Sequence, residues 1–298
     1  MRLFRRTYDL GLARVRCAQD TDKSAVSRLL RDGGRRYYAL NGDDIDVLLH
    51  HGHVTVIEAN GDLWGVGMLG RIVGQSTWLR ALALEEGVPL GEAFALLLPA
   101  MQRAAAELGV TEIYCAGDET ADVWLAPLLR AHGFSASTDV VVYEKREMSI
   151  PAFGNEAIMV RPARAADLTT ILEVDRRCFE PQWTKDDTIL GHAIAYGPYC
   201  MVAEVAGAVV GYAYATSHFG GRLVHLVRIA VLPERQGQAV GVRLLAEVVA
   251  YAESVGAYNL TLNTQAYNTG AQRLYRWFGF YPTGEQQTIL VCQCAVEG

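Results

Sequence analysis

Between Val224 and Leu232 the chain is apolar and β-branched except at His225 and Arg228, which predicts a buried strand. Pro233 ends it. Glu234 to Gly241 is polar, with small side chains at Gly237, Ala239 and Gly241. Beyond it, Val242, Leu244, Leu245, Val248 and Val249 recur at helical spacing. The order is therefore strand, small-residue loop, helix. The first N–H groups of such a helix have no intrahelical acceptor, and its dipole adds roughly half a positive charge. A phosphate or pyrophosphate is the ligand this end suits.

The same patterning runs through the rest of the chain. Residues 1–11 read as an irregular leader, Ala13 to Cys17 as a strand and Asp20 to Arg31 as a helix. Val54 to Ile57 and Leu63 to Leu69 form a hairpin about Ala59-Asn60-Gly61-Asp62. Trp78 to Leu84 and Thr111 to Cys115 read as strands, and Gly91 to Leu108 and Val123 to His132 as helices. Val140 to Glu144 is a further strand. Then the order recurs. Ile158 to Arg161 is a strand and Asp167 to Cys178 a helix, and Met201 to Val205 with Val209 to Thr216 is a hairpin. The strand–loop–helix follows, then a strand at Leu260 to Thr264, a helix at Asn268 to Phe278 and a strand at Thr288 to Cys294. Glu58 to Gly65 lies over Glu204 to Gly211, and Leu128 to Phe134 over Leu274 to Phe280, without gaps. Two copies of one α/β (α+β) unit are expected, at 12–148 and 157–298, joined where Pro151 and Gly154 interrupt the pattern.

Composition narrows the setting. A chain of 298 residues with 51% hydrophobic content can bury two cores. The net charge of −6 speaks against a nucleic-acid face and leaves room for a cationic amine. Six cysteines without a Cys-x-x-Cys pair read as reduced thiols of a cytoplasmic protein, with no metal site expected. Arg2, Arg5 and Arg6 are not followed by a signal-peptide apolar core, and no run has the ~20 apolar residues of a membrane span.

Gln236-Gly237-Gln238-Ala239-Val240-Gly241 resembles the pyrophosphate loop of the GNAT N-acetyltransferase superfamily, Gln/Arg-x-x-Gly-x-Gly/Ala, with Ala239 where Gly is usual. Asn268-Thr-Gly-Ala-Gln-Arg-Leu-Tyr-Arg-Trp-Phe-Gly-Phe280 resembles that superfamily's last motif, Asn-x-x-Ala-x-x-Leu-Tyr-x-x-x-Gly-Phe. The second copy is similar in particular to the ribosomal-protein alanine N-acetyltransferases. Each copy is then expected to hold a mixed, largely antiparallel twisted sheet with helices on both faces and a splayed central strand pair.

The resemblance implies acetyl-CoA as co-substrate and a primary amine as acceptor, joined in a ternary complex. It implies coenzyme contacts at Ile229, Ala230, Val231, Gln236, Gly237, Gln238, Ala239, Val240, Gly241, Asn268 and Arg273. Tyr275 becomes the proton donor to the departing thiolate. Relatives place a glutamate where His225 stands, or on the next strand at the position of Asn263. His225 is the expected base, with Glu204 a further candidate. Without a carboxylate at either usual position, an α-amine is favoured over a lysine amine. Cys178-Phe-Glu-Pro-Gln-Trp183 resembles the acceptor-side turn of the ribosomal-protein enzymes, and Tyr212 and Tyr214 are core or acceptor wall. In the first copy Glu85 and Glu86 replace the phosphate loop and Leu129 replaces Tyr275, so that copy is read as non-catalytic: scaffold, homodimer surface or substrate wall. Two other readings stay open: a non-catalytic acyl-CoA-binding regulatory module, and an acetyltransferase similar to mycothiol synthase.

Overall fold

A computed structural model describes residues 8–40, 45–117 and 121–294. Of the expected leader, residues 1–7 lie outside the described residues, Arg2, Arg5 and Arg6 included. The elements in order are β1 (Arg14–Cys17), α1 (Lys23–Asp32), β2 (Arg35–Tyr38), α2 (Ile45–His50), β3 (Val54–Ala59), β4 (Asp62–Leu69), β5 (Ser76–Leu84), α3 (Leu90–Glu107), β6 (Glu112–Cys115), α4 (Asp122–Ala131) and β7 (Ser135–Lys145). They continue with β8 (Met159–Pro162), α5 (Leu168–Cys178), α6 (Asp187–Tyr196), β9 (Tyr199–Val205), β10 (Ala208–His218), β11 (Leu223–Val231), α7 (Val240–Ser254), β12 (Asn259–Gln265), α8 (Thr269–Trp277) and β13 (Tyr281–Gln293). Three of these go beyond the sequence expectation. β2 reads Arg-Arg-Tyr-Tyr, α2 is short, and α6 is interrupted by Gly191, so none carries a clear period.

Two compact units result, Met1–Ser137 with Thr288–Gly298, and Thr138–Gln287. The first has strand order β1-β3-β4-β5-β6-β13, with β2 on β5. The second has order β7-β12-β11-β10-β9-β8. Its pairs are antiparallel except β11 with β12, as β5 with β6 is in the first. The units thus divide differently from the linear repeat. β7, which follows the first copy's last helix, closes the second unit's sheet by pairing Val140–Lys145 with β12. β13 closes the first by pairing Leu290–Gln293 with β6. An apolar closing strand carries no mark of which open sheet edge it will join.

In the second unit both sheet faces are covered. Val240, Leu244, Leu245, Val248, Val249 and Ala252 bury one face of α7 on the sheet, joined by Tyr275 of α8 and by Phe278, which caps that helix. Ile171 and Val174 of α5 and Leu190 of α6 cover the other. Each such Val or Leu contributes about 1.5–3 kcal/mol by leaving water. In the first unit Leu129 is buried core, and Glu85 Oε2 accepts from Arg28 Nη1 at 2.8 Å.

Candidate active site

A cleft opens because two parallel strands stop pairing. β11 and β12 are paired from Leu223–Leu226 against Asn259–Leu262 and no further. The register of β11 on β10 also slips, Ala215 facing Leu226 and Tyr214 facing Arg228, so Val227 is a bulge. Bulges turn a strand and re-aim its side chains. Val224 and Leu226 face the α7 side, whereas beyond the bulge Ile229 and Val231 pack on that side and Ala230 joins the α5–α6 side. The two strands leave a cavity of about 590 Å³ between them, lined by Leu226–Val231, Asn263–Gln265, the loop before α7 and the first turns of α8. That volume suits a small-molecule site.

At one end is the loop. Gly237 and Ala239 both take positive φ, +75° and +61°. Ala239 caps α7 in the left-handed conformation, and its carbonyl accepts from Arg243 N–H at 3.0 Å. The amides at the start of α7 therefore have no helical acceptor. Gln236 Nε2 donates to Val231 O at 3.3 Å and Gln238 Nε2 to Glu234 O at 3.1 Å, which fixes the loop from within. Gln236, Gly237, Ala239, Val240 and Gly241 line the cavity and Gln238 does not. Ala239 holds its loop in a conformation that L-residues enter at a backbone penalty.

Tyr275 is also in the lining, 5% exposed. Among the described residues its hydroxyl has no protein partner and is not sealed off. Its ring packs near Tyr143 and Phe280, with centroids 6.2 and 6.0 Å away. Burial pushes the phenol up to about 12, opposed in part by the positive charge of Arg228, so it carries its proton at neutral pH. Asn268 caps α8 with Oδ1 accepting from Ala271 N–H at 3.1 Å, and it lines the cavity as well.

Other expected site residues lie elsewhere. His225 belongs to the paired part of β11, opposite Thr261, with Nδ1 2.9 Å from Thr261 Oγ1, and is not in the lining. Burial, then the charge of His218, brings it down to about 4. The expected base is thus a neutral imidazole inside the ladder. Arg273 is exposed and outside the cavity, since it is two residues, about 200° around the helix, from Tyr275. Glu204 is bound to Arg161, with Oε1 2.5 Å from Nη2.

Arg228 lines the cavity outside any sequence motif, and the Cys178–Trp183 turn packs against it. Arg228 stands just past the bulge, 8% exposed, with Nε 3.1 Å from Oδ1 of the fully buried Asp175, a charge contact without hydrogen-bond alignment. Tyr212 Oη donates to that same Oδ1 at 2.5 Å, and burial, then Asp175, pushes its phenol well up. Tyr212 and Tyr214 are core. Phe179 lies under the Arg228 guanidinium at 3.8 Å, and Trp183 sits in a short turn, Pro181–Trp183. Cys178 also lines the cavity, donating to Val231 O at 3.2 Å. Burial first and Asp175 second raise its thiol to about 11, which leaves little thiolate for a covalent route. The Cys178–Trp183 turn is expected on the acceptor side; its meeting with Arg228 and Asp175 depends on how α5 packs against β11.

A model of the acetyltransferase (GNAT) family matches residues 168–280. A Bacillus subtilis (strain 168) protein named "Putative ribosomal protein bS18-alanine N-acetyltransferase" is 31% identical over 127 residues, 42% of this chain and 82% of that protein. A thialysine N-epsilon-acetyltransferase of Bos taurus is 29% identical over 141 residues, 41% of this chain and 83% of that protein. By fold, a GCN5-related N-acetyltransferase from Kribbella flavida matches 94% of this chain and 70% of its own, with TM-score 0.69 and 13% identity. A tandem GNAT protein from the clavulanic acid biosynthesis pathway matches 96% of this chain and all of its own, with TM-score 0.55 and 13% identity.

Proposed function

The chain belongs to the acetyltransferase (GNAT) family, and on that premise we propose that the second unit transfers the acetyl group of acetyl-CoA directly to a primary amine. The observation that carries this is the cavity between β11 and β12, with unpaired amides at one end and the Tyr275 hydroxyl in the same wall.

The residues fit the co-substrate. A diphosphate suits the amides of 237–241, where positive φ at Gly237 and Ala239 turns successive N–H groups to one side. Beyond Leu226, β11 has no partner on its β12 side, so the arm of the coenzyme can add there as a strand would, near Ile229, Ala230 and Val231. A backbone N–H in that row polarises the thioester carbonyl, an effect often worth 10²-fold or more.

Tyr275 meets the departing sulfur. Full transfer from a phenol near 12 to a thiolate of pKa about 8.5 is uphill by about 5 kcal/mol. The phenol therefore works as a hydrogen-bond donor to the developing charge, and the proton lost by the amine completes the exchange. The titratable lining side chains are Arg228 with Cys178 and Tyr275, and the last two are held protonated. An acceptor of pKa about 7.7–8.0, as α-amines have, arrives partly neutral and asks least of such a site. The first copy, with Leu129 in its core, serves as scaffold.

Release of CoA thiol with a panel of amines tests the proposal, alongside calorimetric titration of acetyl-CoA. Turnover on α-amines that drops with Tyr275→Phe supports it. Tight acetyl-CoA binding with no turnover on any amine would make the unit a binding module instead.

A further inference from the structure

Arg228 is a charged side chain buried to 8% exposure in the wall of the reaction cavity, and the transfer chemistry makes no use of it. Its position is fixed from three sides. Nε is held 3.1 Å from Asp175 Oδ1, Nη2 donates to the carbonyl of Trp183, and the guanidinium plane lies on the Phe179 ring. Asp175 is itself held, accepting from Tyr212 Oη on Oδ1 and from the Lys185 N–H at 2.7 Å on Oδ2. Nη1 is left over. Among the described residues it donates to no protein group, and unlike Nε it is not sealed from solvent. Burying an arginine costs several kcal/mol unless its donors are used. A guanidinium locked on three sides with one free edge in a cavity is built to receive an oxygen.

The place of that edge says which oxygen. Arg228 lies in the stretch of β11 beyond Leu226 that has no partner on the β12 side, and it lines the same cavity as Tyr275. Phe179 and Trp183, which it joins, belong to the loop after α5 on the other side of the strand from α7. An acceptor entering on that side brings its amine to the thioester and whatever it carries near the amine to Arg228.

Resting on the acetyl-transfer reading, we propose that Arg228 Nη1 is a specificity contact for the oxygen of a carbonyl or carboxylate group attached to the carbon that bears the reacting amine. The acceptor class is then an α-amino acid or the first residue of a peptide, whose amine and carbonyl are separated by one carbon. Asp175 is the positioning residue, holding the guanidinium without touching the acceptor.

The test compares glycinamide, glycine and propylamine as acceptors for the full chain, by CoA release. Because each ratio is taken against propylamine for the same protein, differences in amine basicity cancel between parent and variant. Arg228→Gln is expected to lower the glycinamide-to-propylamine ratio of kcat/KM about 10- to 100-fold, the worth of one charge-assisted hydrogen bond, with the change in KM rather than kcat. The double variant Arg228→Gln/Asp175→Asn removes both charges together, leaves no carboxylate stranded, and is expected to show the same ratio change. Asp175→Asn alone is expected to lower the ratio less, through looser placement. A larger loss on glycine assigns the free carboxylate as the preferred oxygen, and a larger loss on glycinamide assigns the peptide carbonyl. An unchanged ratio in both Arg228 variants overturns the proposal while leaving acetyl transfer standing. If the parent releases no CoA with any amine, the acetyl-transfer reading fails by itself. Calorimetric binding of glycinamide to the CoA-loaded parent then decides the contact: binding lost in the double variant supports it, and no binding by the parent overturns it.

Discussion

Ala239→Gly should stabilise the second unit. Ala239 holds φ 61° and ψ 18°, squarely left-handed, at the cap of α7. A residue with a Cβ pays roughly 1–2 kcal/mol for that conformation, and glycine pays none. Glycine loses about 0.4–1 kcal/mol through the greater freedom of the unfolded chain. The balance runs from about 0 to 1.6 kcal/mol, a central gain of about 0.8 kcal/mol. For a unit of this size 1 kcal/mol moves Tm by about 2–4 °C, so a rise of roughly 1–4 °C is expected. Calorimetry of the full chain, following the transition of Thr138–Gln287, reads it. Ala239→Val, β-branched in the same conformation, should lower that transition. Acetyl-CoA affinity should stay within about threefold in the glycine variant, since the amide at 239 remains. A clear drop in Tm with Ala239→Gly would refute the strain argument, and with it the placing of that loop's cost in the backbone.

Other outcomes follow from the same geometry. Tyr275→Phe should cut kcat by about 10²-fold or more while Tm barely moves, because among the described residues the hydroxyl has no protein partner to lose. With the phenol at about 12, kcat/KM should rise with pH as the amine loses its proton and show no alkaline fall up to pH ~10; a fall near pH 8–9 would contradict the neutral phenol. His225 at about 4 against 6.5 when unfolded binds fewer protons in the folded state, so its contribution is intact above pH 6.5 and lost as pH drops toward 4. That loss is of order 3 kcal/mol, and His225→Gln should flatten the acid limb of stability measured by urea unfolding. At Gly154, φ is +75° and an added Cβ would lie 2.8 Å from Arg243 N, so Gly154→Ala should disturb the start of α7 and weaken acetyl-CoA binding in calorimetry.

Much of this was legible along the chain because it is local. The alternation of hairpins, the 3.6-residue period of α7 and the small residues between β11 and α7 are short-range patterns. So is the helix expected at Asn268 to Phe278, and the repeat of the unit could be counted directly. Those patterns are written in consecutive residues, where backbone geometry and propensity act.

Other features depend on residues far apart, and the sequence left them open. Simple alternation puts Arg228 on the same face as Leu226, but the bulge at Val227 turns it toward Asp175, some fifty positions earlier. The same slip, with the end of pairing at Leu262, makes the cavity and leaves His225 inside the ladder. The exchange of closing strands depends on which sheet edge is free when β7 and β13 arrive, and both are apolar enough to fit either. Periodicity settles which face of an element is buried; register between strands, set only when the sheet assembles, settles what that face meets.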